Sequence, residues 1–171
     1  YRLSLRFLTF GEHVKSSHPL AQAAPEAVDD LAEQTGERVI CMTEQSGLGT
    51  ILCVGEGDRS IRTDVSVGTN AYLHCSAGGK AILAHYPEER VDKIVDKWSL
   101  PRLTKQTITD RETLKTELEE IREEGIAVAR EEYFEGVITV GAPIRDRNNV
   151  YGAVVVLGPA QRLYNGRDEG E

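Results

Sequence analysis

The stretch Thr69–Ala84 constrains this chain most, because an extended approach through Asn70-Ala71-Tyr72-Leu73 ends in a small polar turn and opens a helix. Ser76 is the natural N-cap, since a short hydroxyl side chain can accept from an N–H two or three residues on. After it, Ala77, Gly78 and Gly79 carry almost no side chain, which leaves the free N–H groups of the first turn uncovered. A helix start of that kind favours a carboxylate, phosphate or carbonyl oxygen. The same two glycines can equally serve close packing of a helix over Lys80–His85 against a strand, and composition leaves both readings open.

The rest of the chain supplies a sheet and its helices. From Pro19 to Gly36, Leu20, Ala24, Ala27, Val28, Leu31 and Ala32 recur at helical spacing. Pro25 reads as a first-turn residue there and Gly36 as the stop. Before it, the alternating run Tyr1–Leu8 predicts a short strand running into a helix. Arg38–Glu44 and Thr50–Glu56 are β-branched runs joined by a glycine-containing loop, Gln45–Gly49, the pattern of a hairpin. Ser60–Asp64 reads as a further short strand. Glu88–Trp98 and Asp110–Glu124 are amphipathic helices, the second capped by Thr109 or Asp110 and ended by Gly125. Its acidic residues Glu117, Glu119, Glu120, Glu123 and Glu124 read as a solvated face. Three strands close the chain, at Ile126–Glu131, Gly136–Ile144 and Val150–Gly158, with Asp146–Asn149 as a hairpin turn. Strands and helices in blocks, rather than in strict alternation, predict an α+β fold with helices on an antiparallel sheet.

Composition excludes several functions. A chain of 171 residues with 40% apolar content fits one packed domain, and a net charge of −8 argues against a nucleic-acid surface of its own. No window approaches ~18 consecutive apolar residues, so the reading is a soluble, cytoplasmic protein with no membrane contact. Cys41, Cys53 and Cys75 show no C-x-x-C spacing, and His13, His18 and His85 no metal-ligand spacing, so reduced thiols and no metal or cofactor are expected. His74 and Cys75 are neighbours that point apart in an extended segment, a poor base and nucleophile pair. Lys80 stands in the first turns of its helix, where a cation needs an anionic partner, and Glu131 or Glu132 is the expected one.

The run His74-Cys-Ser-Ala-Gly-Gly-Lys-Ala-Ile-Leu-Ala84 resembles the signature of the effector-binding domain of the IclR family of transcriptional regulators. Leu100–Thr109, Glu124–Glu132, Gly136-Val137, Ala142–Asp146 and Gly158-Pro159-Ala160 resemble later family segments in the right order, so the resemblance spans about residues 18–163. It implies a GAF/profilin-like sensor with a curved antiparallel sheet, an effector pocket near the Ser76 helix, and no enzymatic activity. It also implies that residues 1–17 are the end of a DNA-binding wing and its linker, 18–164 the effector-binding domain, and 165–171 a polar tail. DNA contact is then expected only through an upstream helix-turn-helix, with the sensor domains forming a homodimer or homotetramer.

Position by position, the resemblance places effector contacts at Cys75, Ser76, Ala77, Gly78, Ala129, Glu132, Thr139, Val155 and Leu157. Where members that bind small organic acids carry an acidic residue before the Glu-Glu pair and a Ser-x-Ser before the last Gly-Pro, this chain has Ala129 and Val155-Val156-Leu157. A small-molecule effector that is largely apolar, or an aromatic carboxylate, is therefore expected. Two other readings are a ligand-free oligomerisation scaffold with the pocket filled by Val155 and Leu157, and a GAF-like thiol redox domain using Cys75.

Overall fold

The structure, a computed structural model, describes residues 4–165. Two helices open it, α1 (Arg6–Ser17) and α2 (Pro19–Thr35). The residues from Arg6 onward in the alternating run are thus helical rather than extended, while Tyr1–Leu3 lie outside the described residues. Helix α2 begins at Pro19, with the His18 ring accepting from the Ala21 N–H at 3.4 Å, so Pro25 lies in the helix interior rather than in its first turn. Its missing N–H leaves the Ala21 carbonyl without its intrahelical donor. Gly36, at φ 69°, ends the helix in the left-handed conformation that glycine adopts without strain.

Strands β1 (Arg38–Gln45) and β2 (Leu48–Gly55) form the expected hairpin, but its loop is shorter than Gln45–Gly49. Only Ser46 and Gly47 lie outside the ladder, both at positive φ, which matches the right-handed twist of the strands. No strand forms over Ser60–Asp64. The edge of β2 at Leu48–Thr50 is taken instead by β3 (Asn70–Tyr72), and the connecting segment is tied down where the Arg38 guanidinium donates to the Val65 carbonyl. Helix α3 (Ala77–Leu83) follows, then α4 (Glu88–Trp98) and α5 (Arg111–Glu124), the last capped by Asp110 and stopped by Gly125. Strands β4 (Ala127–Arg130), β5 (Val137–Arg145) and β6 (Val150–Pro159) complete the sheet, and α6 (Ala160–Asn165) closes the described chain. Apart from Asn165, the predicted polar tail lies outside it.

All six strands pair antiparallel in the order β3-β2-β1-β6-β5-β4. The α+β expectation is met. On one face, Ala24, Val28 and Ala32 of α2 cover Val39, Cys41 and Cys53. On the other, α3, α4 and α5 bring Ile82, Leu83, Val91, Leu114 and Leu118 against Ile40, Met42, Ile51 and Val155. A bulge decides which β2 residues face which layer: Cys41 pairs with Cys53 but Met42 pairs with Ile51, so Leu52 is inserted. Ile51 therefore faces the α3 side while Leu52 and Cys53 both face α2.

Candidate functional site

Strand β3 delivers the chain to a turn that ends at Ser76, in extended backbone at φ −118° and ψ 141°. The Ser76 hydroxyl accepts from the Gly79 N–H at 3.1 Å and donates to the Tyr72 carbonyl at 3.3 Å, so it is the predicted cap. The other donors of the turn are less open than the sequence implies. The Ala77 N–H reaches the Thr139 hydroxyl at 3.4 Å and the Lys80 N–H bonds the Ser76 carbonyl at 2.9 Å, whereas the Gly78 N–H has no partner among the described residues.

Both glycines serve close approach to their surroundings. A Cβ on Gly79 would lie 2.3 Å from the Leu73 carbonyl oxygen, so Gly79 serves close packing. A Cβ on Gly78 would lie 2.5 Å from Met42 Sδ and 2.6 Å from Val155 Cγ2, so Gly78 makes room against the sheet. Beneath the same turn Gly141 of β5 lets the backbone pass, since a Cβ there would meet the Gly78 nitrogen at 2.9 Å.

A cavity of about 50 Å³ lies between this turn and the concave sheet. Ser76, Gly78, Thr139, Val155 and Leu157 of the expected contacts are on its wall. Cys75, Ala77, Ala129 and Glu132 are not among its lining residues. Sequence reasoning missed Ile40, Met42 and Ile51, which alternate onto this face of β1 and β2, and Tyr133 and Phe134. These two aromatic rings pack edge to face, with centroids 4.8 Å apart. Alternation in β1 could have signalled Ile40 and Met42; the bulge hides Ile51.

The Tyr133-Phe134 loop is held from behind. Glu131 takes a positive φ of 59°, and its carboxylate accepts from the Gly136 N–H at 2.7 Å. Thr104 donates to the Glu131 carbonyl and Thr107 to the Glu132 carbonyl, each at 2.7 Å, so the segment after α4 clamps the loop.

Glu132 turns away from the cavity. Its Oε1 accepts from Lys80 Nζ at 2.7 Å, and the same ammonium donates to the Val128 carbonyl at 3.1 Å and to Glu117. Lys80 is fully buried, so all three of its protons are matched inside the protein. Glu117 is thereby removed from the solvated face on which its neighbours were placed. Burial raises Glu132 above the usual carboxylate range against the pull of Lys80, and its Oε2 has no partner among the described residues.

Cys75 is wholly buried, its thiol pushed up to about 12, first by burial and then by Glu132, and such a thiol is a poor nucleophile. Burial likewise lowers His74, whose Nε2 donates to the Pro101 carbonyl at 3.2 Å. A larger groove of about 950 Å³ runs between α5 and β4, but Glu117, Glu120, Glu124, Glu131 and Glu132 line it against Arg130 alone, a wall that repels organic anions. Among the described residues no group of three or more His, Cys, Asp or Glu side chains is placed to hold a metal ion, and no helix is long and apolar enough to cross a membrane.

The family model for the bacterial transcriptional regulator IclR C-terminal domain matches residues 12–170. A probable HTH-type transcriptional regulator ArcR of Halobacterium salinarum is 33% identical over 175 residues, covering 100% of this chain and 66% of that protein. The Thermotoga maritima IclR crystal structure superposes with a TM-score of 0.86 at 32% identity, over 91% of this chain and 64% of that one. The fold also matches, at TM-score 0.80 and 22% identity, an IclR homologue from Microbacterium hydrocarbonoxydans complexed with 4-hydroxybenzoate, over 94% of this chain and 66% of that one. The chain thus spans about two thirds of the length of these relatives, and it belongs to the IclR family of transcriptional regulators, as a C-terminal domain of that family rather than an enzyme.

Proposed function

We propose that this chain is the small-molecule sensor and oligomerisation domain of a cytoplasmic DNA-binding regulator, with the effector held between Gly78 and the Tyr133-Phe134 loop. Residues 18–164 are the effector-binding unit in this reading. DNA is read by a helix-turn-helix ahead of residues 1–17, and the sensor domains associate as a homodimer or homotetramer. The observation that carries it is the make-up of the wall, where the apolar Ile40, Met42, Ile51, Val155 and Leu157 stand with Gly78, whose N–H has no partner among the described residues. That wall suits a ligand with one carboxylate and an otherwise apolar or aromatic body, because the Ser76 and Thr139 hydroxyls on it already bond groups of the turn and a second polar group against the apolar residues would be buried unpaired at ~1–3 kcal/mol. An aromatic acid bound to the Microbacterium relative supports the same ligand class.

A ring-sized ligand exceeds 50 Å³, so binding must move the Tyr133-Phe134 loop or repack the flexible Met42 side chain. That movement is the linkage device. A ligand shifts DNA affinity only by the difference in its affinity for two arrangements, ~1–3 kcal/mol of coupling in typical cases. The smallness of the cavity favours one second reading, an oligomerisation scaffold whose pocket stays filled by Val155 and Leu157.

A thermal-shift panel separates the two. At a hundredfold excess over its dissociation constant an aromatic acid such as 4-hydroxybenzoate adds ~2.7 kcal/mol, or roughly 5–10 °C for a chain of this size. Val155→Ser should move preference toward smaller, more polar acids. Greater stabilisation by pyruvate or glyoxylate than by any aromatic carboxylate would overturn the ligand class, and no shift from any acid would favour the scaffold.

A further inference from the structure

On the reverse of the strands that line the cavity, β1 and β2 place two thiols directly opposite each other. Cys41 and Cys53 are register partners immediately before the bulge, and both face α2. Opposed residues in an antiparallel pair lie about 4.5–5.5 Å apart at Cα, inside the ~4.4–6.8 Å that a disulfide spans. We propose that Cys41 and Cys53 are a reversible oxidation site, closed to a cross-strand disulfide by a peroxide and reopened by a small dithiol.

The environment divides the two roles. Cys41 is wholly buried, while Cys53 keeps 8% of its surface open. A hydrogen bond between the thiols, with burial, holds Cys41 far above the ordinary thiol range; the same bond lowers Cys53 against its own burial and the charge of Asp29, helped by the Cys41 N–H and by Lys15 of α1. Cys53, the one of the two with surface open to a peroxide, is therefore the attacking sulfur and the wholly buried Cys41 the resolving one. In the first step Cys53 sulfur attacks one peroxide oxygen and the O–O bond breaks. This leaves a sulfenic acid, and the departing hydroxide takes the proton lost by Cys53. In the second, Cys41 sulfur attacks the sulfenic sulfur, the S–S bond forms, and the S–O bond breaks to release water with the Cys41 proton. Two thiols lose two electrons and two protons, and one peroxide becomes two waters. Cys75 has no cysteine opposite it and stays a thiol throughout.

The test uses the reduced 171-residue chain, a small excess of hydrogen peroxide, and denaturing alkylation after the quench. Cleavage after glutamate puts Cys41 on residues 38–44 and Cys53 on residues 45–56. The expected product is these two peptides joined, lighter by about 2 Da and separable with dithiothreitol, with Cys75 alkylated and at least about tenfold slower to react. In Cys41→Ser the oxidation should stop at Cys53, where dimedone traps the sulfenic acid. Separate, fully alkylated peptides from oxidised wild-type chain would overturn the proposal, and so would a cross-link that forms only when the chain is unfolded before peroxide is added. Should Cys41→Ser fail to fold, the wild-type peptides decide alone.

Discussion

Lys80 Nζ lies 2.7 Å from Glu132 Oε1, with Lys80 wholly buried and Glu132 nearly so. Removing one partner of such a pair leaves the other charged in a medium that does not solvate it. Lys80→Met should therefore cost ~3–5 kcal/mol, and adding Glu132→Leu should recover much of the loss. Urea denaturation of the two variants measures both, and a single variant within ~1 kcal/mol of wild type would show that the pair holds little of the fold. Glu117→Gln should cost less, since the Glu117 side chain keeps 27% of its surface.

Gly78 is a steric limit as much as a donor. Gly78→Ala drives a methyl against Met42 Sδ and Val155 Cγ2, which should cost ~1–3 kcal/mol and abolish ligand-induced stabilisation. In a Val155→Ala background the same change should cost less, because the two side chains compete for one space. A double-mutant cycle reads the coupling, and strict additivity would contradict the contact.

The threonine clamp predicts a local effect. Thr107→Val deletes the bond to the Glu132 carbonyl and the acceptor for the Leu103 and Thr104 N–H groups, for ~1–3 kcal/mol. Hydrogen exchange should accelerate over residues 131–136 more than over β1 or β6. Uniform acceleration would mean that Thr107 does not hold the loop in particular.

His74 sets a pH dependence. Its folded pKa is lowered, chiefly by burial, so between that value and the ordinary histidine value the unfolded chain binds more protons and stability falls as pH falls. Wild type should lose stability relative to His74→Gln as pH drops below ~6.5, at no more than ~1.4 kcal/mol per pH unit. Glu132, raised by burial, works in the opposite sense, contributing most at low pH, so the comparison between the two proteins is the readout, and a constant gap from pH 7 to 5 would sink the assignment.

Periodicity and turn chemistry made most of the elements legible: Gly36 and Gly125 stop their helices, Asp110 caps α5, and Ser76 caps α3. The failures share a cause. Pro25 reads as a first-turn residue only if the helix starts near it, but His18 and Pro19 start it earlier. Ser60–Asp64 has strand composition, yet Asn70–Tyr72 already occupies the edge it would need. Glu117 looks like its acidic neighbours until Lys80, far away in sequence, arrives beside it. At the site, Gly78, Thr139, Val155 and Leu157 came from motif resemblance, whereas the Tyr133-Phe134 wall depends on a loop shaped by Glu131 backbone and two distant threonines, and local sequence does not encode that.

The lengths of the strands bear on how copies of this chain can meet. The two outermost are the shortest, three residues in β3 and four in β4, while the four inner ones run from eight to ten. An edge that short offers few unpaired N–H and C=O groups for another molecule to pair with, and beside β4 stand Glu117, Glu120 and Glu124. The sheet is thus guarded against growing from one molecule into the next, and a contact between copies would fall to helices and loops, where side chains rather than open backbone choose the partner.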